Sequence, residues 1–176
     1  MKISIIIPTF KNFSYLKLCI ESIIKNSKFN HEIIIHINGE DRVTEDYLLN
    51  SKLLYTKSKD NIGLCSGVNL ASQKSTQDYI MYSHDDMYFL PEWDVHLINE
   101  INNLKTKLFY LSLTHISYMP MHKGDLQHIH FDCGNDLKNF DETKLLENFT
   151  KLNFRDLQGS HWAPHVIHKE IWGKVG

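Results

Sequence analysis

The sequence predicts an α/β fold, a central mostly parallel sheet flanked by helices. Three observations carry that expectation. Short apolar runs alternate with segments of helical period from Ile3 to Leu113. The runs Ile3-Ser-Ile-Ile-Ile7 and Glu32-Ile-Ile-Ile-His-Ile37 are apolar on both faces, as strands covered by helices on each side are. Polar clusters follow three of the runs: Thr9–Asn12, Asn38–Asp41 and His84–Asp86. Open α/β sheets bind ligands at those carboxyl ends, so the clusters predict one site on one edge.

The elements follow in order. Ile3–Ile7 is the first strand, ending at Pro8. Ser14–Ser27 carries Leu16, Ile20, Ile23 and Ile24 on one stripe, an amphipathic helix with Ser14 as its expected N-cap. Glu32–Ile37 is the second strand, closed by the turn pair Asn38-Gly39. Thr44–Asn50 reads as a short helix and Leu53–Thr56 as the third strand. Leu64–Gln73, rich in small residues, is helical, and Asp78–Tyr82 is the fourth strand. Pro91–Leu104 places Trp93, Leu97, Ile98, Ile101 and Leu104 at helical spacing, with Pro91 in the first turn. Leu108–Leu113 is the fifth strand.

The pattern loosens beyond that point. His115–Gly124 reads as a loop, His128–Cys133 alternates like a strand, and Asp141–Phe149 reads as a helix. Gly159–Pro164 is a loop, and His165–Trp172 opens a further element. Neither a repeat nor a linker interrupts the chain, so a single domain over residues 1–176 is expected, truncated at its C-terminal end.

Composition narrows the function. Apolar residues make up 42% and charged residues 23%, the balance of a globular protein. A net charge of -2 without a basic block gives no reason to expect a nucleic-acid partner. Cys19, Cys65 and Cys133 are odd in number and far apart, which fits a reducing compartment, and the expected location is the cytoplasm. A CxxC pair, the usual start of a structural zinc site, does not occur. Apolar runs all fall short of the roughly 18 residues that a span needs, so membrane association is not indicated.

Several constellations suit chemistry. Two adjacent acids after a buried strand repel unless a positive group joins them, and a divalent cation with oxygen ligands does so well. Strand alternation turns His84 and Asp86 one way and Asp85 the other. The same tripeptide also serves as a capped strand end ahead of the 91–104 helix. Asp60-Asn-Ile-Gly63 leads into a helix whose Gly67 and Ala71 permit close packing, and its N-terminus suits a phosphate as readily as a plain loop-to-helix junction. His128, His130 and Asp132 lie at alternate positions, either a metal site of two imidazoles and a carboxylate or a half-exposed strand. His161 and Trp162 in the 159–165 segment fit a site loop or a core equally. Walker, GxGxxG, GxSxG and HExxH motifs do not occur.

Taken in order, these segments resemble family 2 glycosyltransferases of the GT-A, Rossmann-like fold. Ser4–Asn12 looks like that family's opening, and Asn61-Ile-Gly63 through Asn69 and Ala71 like its N-x-G…N-x-A stretch. Tyr79–Asp86 followed by Pro91-Glu-Trp93 is similar to its DXD strand and the helix after it. Gly159 and His161–Gly176 resemble its later K/R-x-x-W/F-x-x-V-G segment. The resemblance implies inverting transfer of a hexosyl-type sugar from a nucleotide-diphosphate-sugar, a UDP-sugar first, to a saccharide, lipid-linked or protein acceptor, with Mn²⁺ or Mg²⁺ as Lewis acid. By position it places Pro8, Thr9, Asn12, Glu40, Asp41, Asn61, Gly63, Asn69 and Asp85 around the nucleotide-sugar, and Asp86 with His84 on the metal. His84 stands where the family has the first acid of its motif, and imidazole suits Mn²⁺ better than Mg²⁺. The family's catalytic base lies downstream of the V-G pattern, beyond Gly176, with Asp132 and His161 as substitutes within the chain. The alternatives are a non-catalytic nucleotide-sugar or carbohydrate-binding relic acting as a partner domain, and a nucleotidyltransferase.

Overall fold

The computed structural model describes residues 1–120, 128–154 and 163–175. The chain forms two compact units, Met1–Leu111 with Ala163–Gly176, and Ser112–Trp162. In the first unit the elements are β1 (Ser4–Thr9), α1 (Phe13–Asn26), β2 (Glu32–Asn38), α2 (Arg42–Asn50), β3 (Leu54–Ser58), α3 (Leu64–Ser72), β4 (Tyr79–Tyr82) and α4 (Trp93–Leu104). β5 (Leu111–Ser112) marks the boundary, and β8 (His165–His168) with α6 (Lys169–Val175) returns to the first unit. The sheet order is β3-β2-β1-β4-β8-β5. β1 pairs in parallel with β2, Ser4 opposite Glu32 through Thr9 opposite Ile37, and with β4, Ile6 opposite Tyr82. β2 and β3 are also parallel, whereas β8 runs antiparallel to β4.

β1 is buried along its whole length and β2 from Ile33 onward, which explains their unbroken apolar character. Covering each isoleucine there contributes roughly 1.5–3 kcal/mol. α1 buries Leu16, Cys19, Ile20 and Ile23. α3 comes closer to the sheet than any ordinary side chain allows. A Cβ on Gly67 would stand 2.5 Å from Cδ2 of His36, so the glycine is required by the imidazole beneath it. His36 is fully buried within β2, its Nδ1 2.8 Å from Thr56 Oγ1, and burial lowers its pKa and keeps it neutral.

Several boundaries differ from the sequence expectation. Ser14 does not cap α1. Asn12 holds the cap position without a side-chain cap bond, and its Nδ2 donates to Asp85. Ile24 is 64% exposed, one residue past the stripe that Leu16, Ile20 and Ile23 define. Pro91 precedes α4, and Glu92 takes the cap position with φ +61. The expected Leu108–Leu113 strand contracts to Leu111–Ser112.

The second unit contains β6 (His115–Ser117), β7 (His128–His130) and α5 (Glu142–Asn148). β6 lies inside the segment expected to be loop and pairs in parallel with β7, Ile116 opposite Ile129. Asp141 caps α5 by accepting from the Lys144 amide at 2.8 Å. Cys133 is buried, and its carbonyl accepts from the Asp141 amide.

Candidate functional site

Parallel pairing sets the carboxyl ends of β1, β2, β3 and β4 on one edge of the sheet. Antiparallel β8 brings its first residue, His165, to that edge opposite Tyr82. Three predicted clusters therefore meet where the strands end.

Asp85 is the pivot. Its Oδ2 accepts from the Thr9 hydroxyl at 2.7 Å and its Oδ1 from the Asn12 amide at 3.0 Å, tying the β4 end to the turn after β1. Burial nonetheless raises its carboxyl above the usual carboxylate range, against the lowering effect of both bonds. Asp86 turns the other way and is exposed. His84 Nδ1 stands 3.9 Å from Asp86 Oδ1, their side chains 44% and 56% exposed. β4 ends at Tyr82, so a turn beyond it, and not strand alternation, sets one anchored acid apart from an acid–imidazole pair open to solvent.

A second group pins the 60–63 turn. Asn38 Oδ1 accepts from the Ile62 amide at 2.8 Å and its Nδ2 donates to the Gly63 carbonyl at 3.2 Å. Asn61 Oδ1 accepts from the Gly63 amide at 2.9 Å, and Gly63 takes φ +83 at the N-terminus of α3. The sequence reads Asn38 as half of a turn pair and as part of an edge cluster, and nothing in the local pattern marks its role as a clamp. Phe10, 49% exposed, lies against Gly39, whose φ is +103. Pro8 is buried in β1, and Asn69 sits half-buried on α3 with its carbonyl accepting from the Ser72 hydroxyl. Glu40 is exposed. Asp41 is occupied by capping α2: both its oxygens accept from Thr44, one from the amide at 3.2 Å and one from the hydroxyl at 2.7 Å.

His165 and Tyr82 were not anticipated. Their rings meet edge to face at 5.2 Å, Tyr110 stacks on His165 at 4.4 Å, and Tyr82 lies 5.3 Å from His84. Burial, then the neighbouring His84, lowers His165 to about 4. Burial, then nearby Cys65, Asp86 and Asp85, raises Tyr82 to about 12. Only cross-strand pairing joins residues so far apart in the chain, and no local signal reports it.

Among the described residues no three His, Cys, Asp or Glu side chains converge on a metal position. The pair His84–Asp86 still suits an ion that takes one or two protein ligands and completes its shell with phosphate oxygens and water. Asp132 lies in the second unit, where its Oδ1 accepts from the Gly134 amide at 2.9 Å. His161 lies outside the described residues, as does the side chain of His128.

The family model of glycosyl transferase family 2 matches residues 4–171. This chain belongs to that family. Similar family relatives include an uncharacterized glycosyltransferase of Rickettsia typhi, 33% identical over 108 residues that cover 60% of this chain and 33% of the relative. One from Rickettsia prowazekii matches to the same extent. The chain spans about a third of the length of these curated relatives. Among solved structures, Staphylococcus aureus TarS 1-349 superposes with TM-score 0.69 at 13% identity, over 99% of this chain and 49% of TarS 1-349. The mannosyltransferase PcManGT of Pyrobaculum calidifontis, solved with GDP-Man and Mn²⁺, superposes with TM-score 0.55 at 14% identity, over 65% of this chain and 35% of that one. These likenesses establish the GT-A fold for this family 2 chain.

Proposed function

We propose that the chain is the donor-binding part of a glycosyltransferase that moves a sugar from a nucleotide-diphosphate-sugar, a UDP-sugar first, to a saccharide, lipid-linked or protein acceptor, with inversion. One observation carries the reading: Thr9 and Asn12 lock Asp85, and this leaves Asp86 and His84 side by side and open at the carboxyl edge. Asp86, with His84, would hold Mn²⁺ or Mg²⁺, a group that when bound would supply Lewis-acid neutralisation of charge on the leaving diphosphate. Asp85 orients the strand end that carries both ligands. Pro8, Glu40, Asn61, Gly63 and Asn69 border the nucleotide, and half-exposed Phe10, beside Gly39 and with Lys11 Nζ 5.5 Å over its ring, offers an aromatic surface to a base. TarS 1-349 solved with UDP and with UDP-GlcNAc, and PcManGT solved with GDP-Man, support a nucleotide-sugar donor.

Calorimetric titration with UDP in Mn²⁺ tests the reading, beside Asp86→Ala and a metal-free control. The expected result is metal-dependent binding weakened about tenfold to a hundredfold in the variant, the range for a damaged metal site. Binding that ignores both the metal and Asp86 would remove the assignment of these ligands. A wild-type chain that binds neither UDP nor GDP would remove the donor site altogether. Binding without turnover of any nucleotide-sugar would favour a non-catalytic binding domain.

A further inference from the structure

Among the described residues, two polar atoms on this edge are buried without a hydrogen-bond partner, and they lie on facing residues. They are the Tyr82 hydroxyl oxygen and His165 Nδ1. Tyr82 is 9% exposed, so its hydroxyl has forgone water for nothing. Such an orphan loses its bonds to water with nothing in return, and most native buried polar groups avoid it. Phenylalanine would fill the same volume among Ile6, Ile34, Val68 and Ile80 without that cost. Two adjacent orphans indicate a group that arrives from outside.

The surroundings define that group. Tyr82, His165 and Tyr110 lie ring against ring, and Trp172 lies 6.4 Å beyond His165. Aromatic walls with a few convergent polar atoms suit a ligand with apolar faces and hydroxyls at its rim, which describes a saccharide ring. The location agrees. His84 neighbours the Tyr82 ring, so a sugar attached to a diphosphate bound at His84 and Asp86 extends to this place. Tyr110, 43% exposed, is the solvent-side ring of the group, so a sugar reaching the two atoms displaces it first.

We propose that the Tyr82 hydroxyl and the His165 imidazole form a sugar subsite that hydrogen-bonds a hydroxyl of the transferred saccharide and selects for it. The inference rests on the donor-site reading above. A site built around buried polar atoms rejects ligands lacking the matching hydroxyl, because the atoms are then left unpaired.

The test compares each nucleotide with its sugar conjugate, UDP with UDP-GlcNAc and GDP with GDP-mannose, in wild type, Tyr82→Phe and His165→Phe. Both variants keep a ring in place. Affinity for the nucleotide-sugar is expected to fall about 5- to 30-fold in each, while affinity for the bare nucleotide stays constant. The unliganded Tyr82→Phe chain is expected to melt at or above the wild-type temperature, since it loses an unpaired hydroxyl. Three outcomes overturn the subsite and leave the donor site standing: wild type binding nucleotide and conjugate equally tightly, variants with unchanged affinity for the conjugate, or variants that weaken both ligands alike. A wild type that binds neither nucleotide overturns both.

Discussion

The two ends of the central sheet use the same residue types to opposite effect. At the amino end Asp94, fully buried, accepts from the Lys28 amide at 3.0 Å, the Phe29 amide at 2.8 Å and His31 Nε2 at 3.0 Å. Burial works against its charge, but those donors outweigh it and hold the carboxyl below its usual range. His31 Nδ1 accepts from the Ile3 amide, which fixes the tautomer, and burial keeps the ring neutral against the pull of Asp94. Glu32 is likewise engaged, accepting from Ser4, from the Thr76 amide at 2.9 Å and from its hydroxyl at 2.7 Å. At the carboxyl end Asp85 has two donors and stays raised, Asp86 faces solvent, and Tyr82 and His165 keep atoms unpaired among the described residues. The number of donors meeting each buried group separates an end that holds the fold from an end that waits for a ligand.

The sharpest way to break that comparison is Asp94→Ala. It strands His31 and two amides, so a loss of about 3–5 kcal/mol is expected in urea melts. A loss below 1 kcal/mol would mean that the amino end is not the structural anchor. Acidification probes the same cluster more gently. Both folded pKa values are depressed, so the unfolded chain binds more protons and stability declines as pH falls. The decline begins near the ordinary histidine value of 6.5 with His31 and continues below 3.8 with Asp94. Asp94→Asn should flatten the lower part of the curve, and a wild type equally stable at pH 7 and pH 4 contradicts the assignment. The smallest effect belongs to the other end. Thr9→Val and Asn12→Ala each remove one bond to Asp85 and should cost about 1–2 kcal/mol. Both should also weaken metal-dependent nucleotide binding, a readout that Asp94→Asn leaves unmoved.

Much of this was legible in the sequence, for physical reasons. The short, β-branched apolar runs of β1 and β2 read as doubly covered strands, and their alternation with helices favours the parallel order. Asp85 does part from His84 and Asp86, but through the turn that follows Tyr82 and not through the strand period from which the sequence reading expects it. What escaped was set by distance along the chain. β8 pairs with β4 across more than eighty residues, a separation no periodicity spans, so His165 could not be joined to Tyr82. Asn38 reads as a turn residue, because its bonds to Ile62 and Gly63 depend on the sheet that brings them near. The capping role of Asp41 was visible only as an acid before a helix, and the structure shows both its oxygens engaged there.

The contact between Gly67 and His36 restricts the order in which this protein can change. A side chain at 67 meets the imidazole at once, and such overpacking costs about 1–3 kcal/mol, a large share of a typical domain's stability. Shrinking residue 36 first opens the space and makes the second step tolerable, so the two substitutions are not additive. Of the two mutational routes to the same double variant, one passes through a clash at residue 67 and the other through a cavity at residue 36, so the two changes are better made together.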